Sequence, residues 1–246
     1  MTRQWRFVLI ISLIGNLTIA YVGYKTYEYR SHINYWLDKY LYVVDEFSER
    51  DQYVAANVTL QSDTTVAGRV VFFGTQVTLN WPLDQYFPGY ETINRGVDGQ
   101  RAAGFLLRFR PDVIALHPQA VVIEVSSYNF RPNTTAREML DYVASMAELA
   151  RCNGIEPILT TVIPPRAEYE VYEHPEYHVA DTAAMYSGWL KDYAAAHGFP
   201  VVDWAKAVED DKGFLRHDLS FDLVDLNDSG YAAISAATNA VLAEIK

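Results

Sequence analysis

From Arg69 onward the chain alternates short, continuously apolar runs with longer amphipathic ones. The short runs are Arg69–Gly74, Thr92–Arg95, Ala120–Val125, Pro157–Ile163 and Pro200–Asp203. The longer ones are Gln100–Phe109, Ala136–Arg151, Thr182–His197 and Gly230–Ile245. A short run that is apolar throughout reads as a strand covered on both faces, and strands alternating with helices imply a parallel sheet between helical layers. The pattern therefore predicts an α/β protein, a three-layer α/β/α sandwich. Ligand sites in such a sheet lie at the carboxyl ends of the strands. Those ends carry "GTQVT", "NRGVDGQ", "VSSYNF" and "IPPR".

The N-terminal part differs in kind. Phe7 to Tyr24, "FVLIISLIGNLTIAYVGY", holds no charged residue. At about 1.5 Å per residue it spans roughly 27 Å, close to the hydrocarbon thickness of a bilayer. Trp5 flanks one end, and Tyr21, Tyr24, Tyr27 and Tyr29 the other, as interfacial aromatics do. A cleaved leader is the competing reading, with Thr18-Ile19-Ala20 as a passable cleavage site; the expectation is an uncleaved, single-pass anchor. Arg3, Arg6 and the α-amino group stand against Lys25 and Arg30, and the expected orientation places the following domain on the extracytoplasmic (periplasmic) side.

Ser12, Asn16 and Ala20 recur at helical spacing within this segment, with Gly15 beside them. Such a small and polar stripe lets another helix approach closely and gives Asn16 a partner, so the expected contact is an integral membrane protein as well as the lipid bilayer. Residues 27–50 continue with Ile33, Trp36, Leu37, Tyr40, Val44 and Phe47 in a 3.6-residue stripe, read as a stalk helix or one lying on the domain. Trp36 and Tyr40 suit a partner contact. Residues 51–68 are rich in turn and polar types and read as a connector. The expected division is 1–26 anchor, 27–66 juxtamembrane helix and connector, and 67–246 globular domain.

Composition narrows the function. The 246 residues are 50% hydrophobic and 14% aromatic, enough for a packed core. A formal net charge of −11 argues against a nucleic-acid surface. The single cysteine, Cys152, permits no intrachain disulfide and is expected to be a small buried residue. His174 and His178 have the spacing of a helical metal pair, but Pro175 argues for a surface loop. Asp218, Asp222, Asp225 and Asp228 form an acidic cluster without EF-hand spacing, read as a helix-capping loop. No metal and no cofactor is expected. Asn57-Val58-Thr59 and Asn133-Thr134-Thr135 fit the glycosylation pattern, which is frequent by chance.

Four blocks in order resemble the SGNH/GDSL hydrolases, a family of esterases and acetylhydrolases with a flavodoxin-like three-layer fold. "VVFFGTQVTLNW" is similar to the first block, a strand followed by G-D-S. "INRGVDGQRAAGFLLRF" is similar to the second, with Asn94, Gly96 and Gly99 in place. "HPQAVVIEVSSYNF" resembles the third, a strand leading to G-x-N-D. "DLVDLNDSGYAA" resembles the last, D-x-x-H before the final helix. The resemblance runs from about residue 66 to the C-terminus.

In that family a serine attacks the acyl carbon, a histidine takes its proton, an aspartate orients the histidine, and a backbone N–H, a glycine and an asparagine hold the oxyanion. The resemblance places the serine on Gln76, the glycine on Gly99, the asparagine on Tyr128 (or, with a one-residue slip, Asn129), the aspartate on Asp222 and the histidine on Asp225. A carboxamide nitrogen has a delocalised lone pair and is no nucleophile. A solvated aspartate, with a pKa of about 3.9, is a poor base toward a hydroxyl. Loss of either member of such a unit costs on the order of 10⁶ in turnover. Thr75, Thr78, Ser126, Ser127 and His217 are the nearest substitutes, and Arg166 is expected at the rim.

Three readings follow. The first, preferred, is a membrane-anchored pseudoenzyme, not an active hydrolase, that serves as a structural or docking subunit of a larger membrane complex, for instance a respiratory or photosynthetic one. The second is a non-catalytic binding module for an acylated glycan or cell-wall ligand. The third is a hydrolase with relocated catalytic groups. The first expects a filled pocket, and the second an open cleft beside Gln76.

Overall fold

The computed structural model describes residues 3–44, 48–62, 68–130, 135–172 and 178–245. It divides into two compact units, Met1–Phe47 and Ser48–Lys246. Among its described residues the first is a single helix, α1 (Arg3–Val44), so the apolar segment runs on into the stalk helix without a break at residues 26 and 27. No proline and only Gly15 and Gly23 interrupt this sequence, so nothing local stops the helix. It is long and apolar enough to cross a membrane.

The second unit opens with a short 3₁₀ turn, Arg50–Tyr53, and helix α2 (Val54–Ser62). Residues 51–62, expected to be a connector, are thus helical and belong with the globular unit. Strand β1 (Arg69–Gly74) follows, then the one-turn helices α3 (Gln76–Leu79) and α4 (Leu83–Tyr86), and β2 (Glu91–Gly96). Next come α5 (Ala102–Asp112), β3 (Ala120–Ile123), α6 (Ala136–Cys152), β4 (Glu156–Thr160) and α7 (Ala167–Tyr172). The chain closes with α8 (Val179–His197), β5 (Val201–Val202), α9 (Trp204–Val208) and α10 (Asp228–Leu242).

The five strands form one parallel sheet in the order β2-β1-β3-β4-β5. Strand alternation splits the core in two. Val71, Phe73, Val121, Ile123 and Leu159 join the apolar faces of α5, α6 and α8. Val70, Phe72, Ala120, Val122 and Ile158 join Trp81, Trp204, Tyr231 and Ile234 on the other side. This is the expected three-layer sandwich. The sequence direction reverses between β1 and β3, and the crevice outside their carboxyl ends is where open α/β sheets bind ligands.

Local sequence explains the element ends. Thr135 and Glu138 form a reciprocal capping box at the start of α6. Asn227, rather than Asp228, caps α10 by accepting from the Gly230 N–H at 3.0 Å. Cys152, expected to be buried, is exposed, because it is the last residue of α6, where the helix leaves the core.

Candidate functional site

β1 ends in Gly74, and the next two residues turn the chain so that Gln76 opens α3 at the carboxyl edge of the sheet. Beneath this turn lies Glu124, 2% exposed, just past the end of β3. Its carboxylate accepts from the Thr75 N–H, from Thr75 Oγ1 at 2.8 Å and from Thr78 Oγ1 at 3.0 Å. A side chain on Gly74 would overlap Glu124 Oε2 and Thr78 Oγ1, which fixes glycine there. Thr75 and Thr78, considered as substitute nucleophiles, are both buried and turned inward onto Glu124.

Burial raises the Glu124 carboxyl above the usual carboxylate range, against the opposing pull of the Thr75 and Thr78 hydrogen bonds. Between the ordinary value of about 4.3 and the raised one, the folded protein holds a proton that the unfolded chain has released. Stability is therefore greatest below that ordinary value and falls as pH rises toward the folded value. Glu124→Gln is expected to flatten this slope in melting temperature against pH. Glu124→Ala strands the Thr75 N–H in the interior and is expected to cost about 2–3 kcal/mol. An unchanged pH slope in the glutamine variant would refute the assignment.

The loops after α9 complete the site. Asp222 is exposed, and its Oδ1 accepts from the Val224 N–H at 2.9 Å and the Asp225 N–H at 2.8 Å. It thus closes a tight turn on its own backbone. Asp225 is half-buried, and burial together with the nearby Asp222 and Asp98 carboxylates raises its pKa. Tyr231, whose hydroxyl donates to the Val77 carbonyl at 3.1 Å, feels the charges of both Asp225 and Glu124. The structure therefore gathers the turn at Gln76, the Asp98 loop and Asp225 at one end of the sheet.

Other expected residues fall as follows. Gly99 sits in the loop after β2 with φ of 64°, a conformation that favours glycine. Asn94 is structural: its Nδ2 donates to the Thr78 carbonyl at 2.6 Å and its Oδ1 accepts from the Gly96 N–H at 2.9 Å. Tyr128 lies in a 3₁₀ turn, Ser127–Asn129, with its side chain outside the described residues, and Asn129 is buried. His217 does not serve Asp225. It contacts Arg166, and its Nε2 lies 3.2 Å from Glu168 Oε1. Arg166 lies between β4 and α7, with its backbone N–H donating to the Leu223 carbonyl at 2.8 Å.

A cavity beside the turn is lined by Val77, Glu124, Ser126, Ser127, Trp204 and Val224 among others, and has room for about 10 Å³. That is the lower limit for one water molecule, whereas ligand clefts hold roughly 300–1,000 Å³. Among the described residues no three histidine, cysteine or acidic side chains are grouped so as to hold a metal ion. His174 lies outside the described residues; His178 is exposed ahead of α8. The Asn57 amide is 3% exposed and donates to Asp112 Oδ1 at 2.6 Å, so the folded chain does not offer it to a glycosyltransferase. Asn133 is outside the described residues.

The sequence pattern of the GDSL-like lipase/acylhydrolase family matches residues 63–233. Among solved structures, a GDSL-like lipase from Bacteroides thetaiotaomicron is 29% identical with a TM-score of 0.74, covering 82% of this chain and 100% of its own. A proposed acylhydrolase from Bacteroides fragilis is 27% identical with a TM-score of 0.71, again over 82% of this chain and 100% of its own. An acetylxylan esterase from Geobacillus stearothermophilus shares the fold at 16% identity and a TM-score of 0.57, over 72% of this chain and 94% of its own. No curated protein matches the chain.

Proposed function

The chain belongs to the GDSL-like lipase/acylhydrolase family of ester hydrolases, and from that premise we propose that it is a membrane-anchored member that has given up ester hydrolysis and serves as a docking subunit of a membrane protein assembly. One observation carries the reading: Gln76, an amide, opens α3 at the turn after β1, where the family places its serine. The surroundings agree. Asp225 stands at the histidine position, and Asp222 spends its Oδ1 on backbone N–H groups.

What then connects the domain to its task is α1. Its Ser12, Asn16 and Ala20 stripe offers close approach and an amide hydrogen bond inside the bilayer, with the globular domain on the extracytoplasmic side. The test is mild-detergent extraction from native membranes, native sizing and mass spectrometry. The chain is expected in a fixed ratio with at least one integral membrane partner, and Asn16→Leu is expected to reduce that recovery severalfold. Migration of the native chain as a lone monomer would overturn the proposal.

A further inference from the structure

Helix α1 continues without a break for twenty residues past Tyr24, the end of its charge-free run. At about 1.5 Å per residue, Trp36 stands roughly 18 Å beyond that point, and about 14 Å beyond even at a tilt near 40°. The polar headgroup layer is only about 5–7 Å deep on each side. Lipid therefore does not cover Trp36 or Tyr40, which are 67% and 62% exposed. Turning by about 100° per residue, the helix aligns Tyr29, Ile33, Trp36 and Tyr40 in one seam, with Leu37 at its edge. All five are exposed.

The seam has charged borders. Lys25, His32 and Lys39 recur every seventh residue along one edge, and Arg30 lies on the other. Lys25 is already paired with Glu28 at 2.7 Å. Asp38 points to the opposite face. Arg30 and Lys39 are thus cations beside an apolar seam on a chain whose net charge is −11. A seven-residue repeat of this kind is that of a coiled-coil strand, whose partner is chosen by its border charges.

A second copy in parallel register does not match these borders. Residues five apart would face one another, setting Lys25 against Arg30, His32 against Leu37 and Lys39 against Val44. No carboxylate would meet Arg30 or Lys39.

We infer that the part of α1 beyond the membrane is one strand of a coiled coil with a helix of a different chain, whose own apolar seam is bordered by aspartate or glutamate. The inference rests on the docking-subunit reading and specifies the partner's chemistry. The test places a photo-reactive amino acid at Trp36 or at Tyr40 in the full-length chain, with position 38 as the control on the opposite face. Irradiation in native membranes, followed by mass spectrometry, is expected to join positions 36 and 40, but not 38, to a helix with acidic border residues. The double substitution His32→Glu with Lys39→Glu leaves helix propensity nearly unchanged and is expected to lower recovery of that partner about fivefold. Cross-links to a second copy, to lipid or within one chain would overturn the inference, as would recovery unaffected by the double substitution. If the assembly survives while positions 36 and 40 capture nothing, the inference fails and the docking reading stands. If the chain sizes alone, both fail.

Discussion

Asp112→Ala is expected to lower the melting temperature of the globular unit by on the order of 10 °C. Asp112 and Arg108 are both fully buried, joined from Arg108 Nη1 to Asp112 Oδ2 at 2.9 Å. Asn57 bridges this pair to a second cation: its Oδ1 accepts from Arg95 Nε at 3.0 Å and Nη2 at 2.8 Å. Burial lowers the pKa of both arginines, and the Asp112 charge opposes that shift in each. One carboxylate therefore holds two guanidinium groups in the interior. Removing it leaves uncompensated buried charge, which costs about 3–5 kcal/mol, and a domain of this size loses roughly 2–4 °C per kcal/mol. A shift below about 3 °C, measured by circular dichroism on the detergent-solubilised chain, would show that the network is not under this electrostatic demand.

The same network makes residues 48–62 part of the fold. Gln100 accepts from Arg108 Nε and donates to the Ser48 carbonyl at 2.6 Å, and the Arg95 guanidinium stacks on the Tyr53 ring at 4.5 Å. Arg108 Nη2 donates to the Gly74 carbonyl at 3.2 Å, at the root of the turn that carries Gln76. A chain trimmed to residues 63–246, the start of the family match, loses Ser48, Tyr53 and Asn57 and is expected to melt lower still.

This network also marks where the sequence stopped being informative. The apolar runs foretold all five strands, with β1 matched residue for residue, because a strand buried on both faces has a strong local signature. The fold class followed from their alternation with helices. Residues 51–62 looked like a connector because α2, "VAANVTLQS", is short and weakly amphipathic. What ties it to the domain is Asn57 meeting Arg95 and Asp112, 38 and 55 residues away. Nothing local encodes that pairing, and Asn57 was visible only as a glycosylation pattern. At the candidate site the family blocks pointed to Gln76, Asp222 and Asp225. They did not reveal Glu124, whose importance lies in three hydrogen bonds from Thr75 and Thr78. An isolated glutamate in the otherwise apolar run "AVVIEV" was the available signal, since a buried acid needs such partners.

The native chain is expected to hydrolyse esters on the order of 10⁶ more slowly than a competent relative. Gln76→Ser alone is expected to remain silent, because Asp225 cannot take the hydroxyl proton. The double substitution Gln76→Ser with Asp225→His restores both residue types and is the first variant expected to react. The sensitive readout is covalent labelling at position 76 by a fluorophosphonate, which reports an activated serine without requiring turnover. Labelling is expected to stay weak while Asp222 Oδ1 serves the Val224 and Asp225 N–H groups; the other carboxylate oxygen must then orient the imidazole. Labelling confined to the double variant would establish that the turn is intact and that residue identity silences it. Hydrolysis by the native chain, abolished by changing Asp222 or Asp225, would overturn the reading and move the chemistry onto these carboxylates. Both outcomes bear on the same physical point: the turn persists because Gly74, Thr75, Thr78 and Glu124 hold it from below, independently of what its upper side presents.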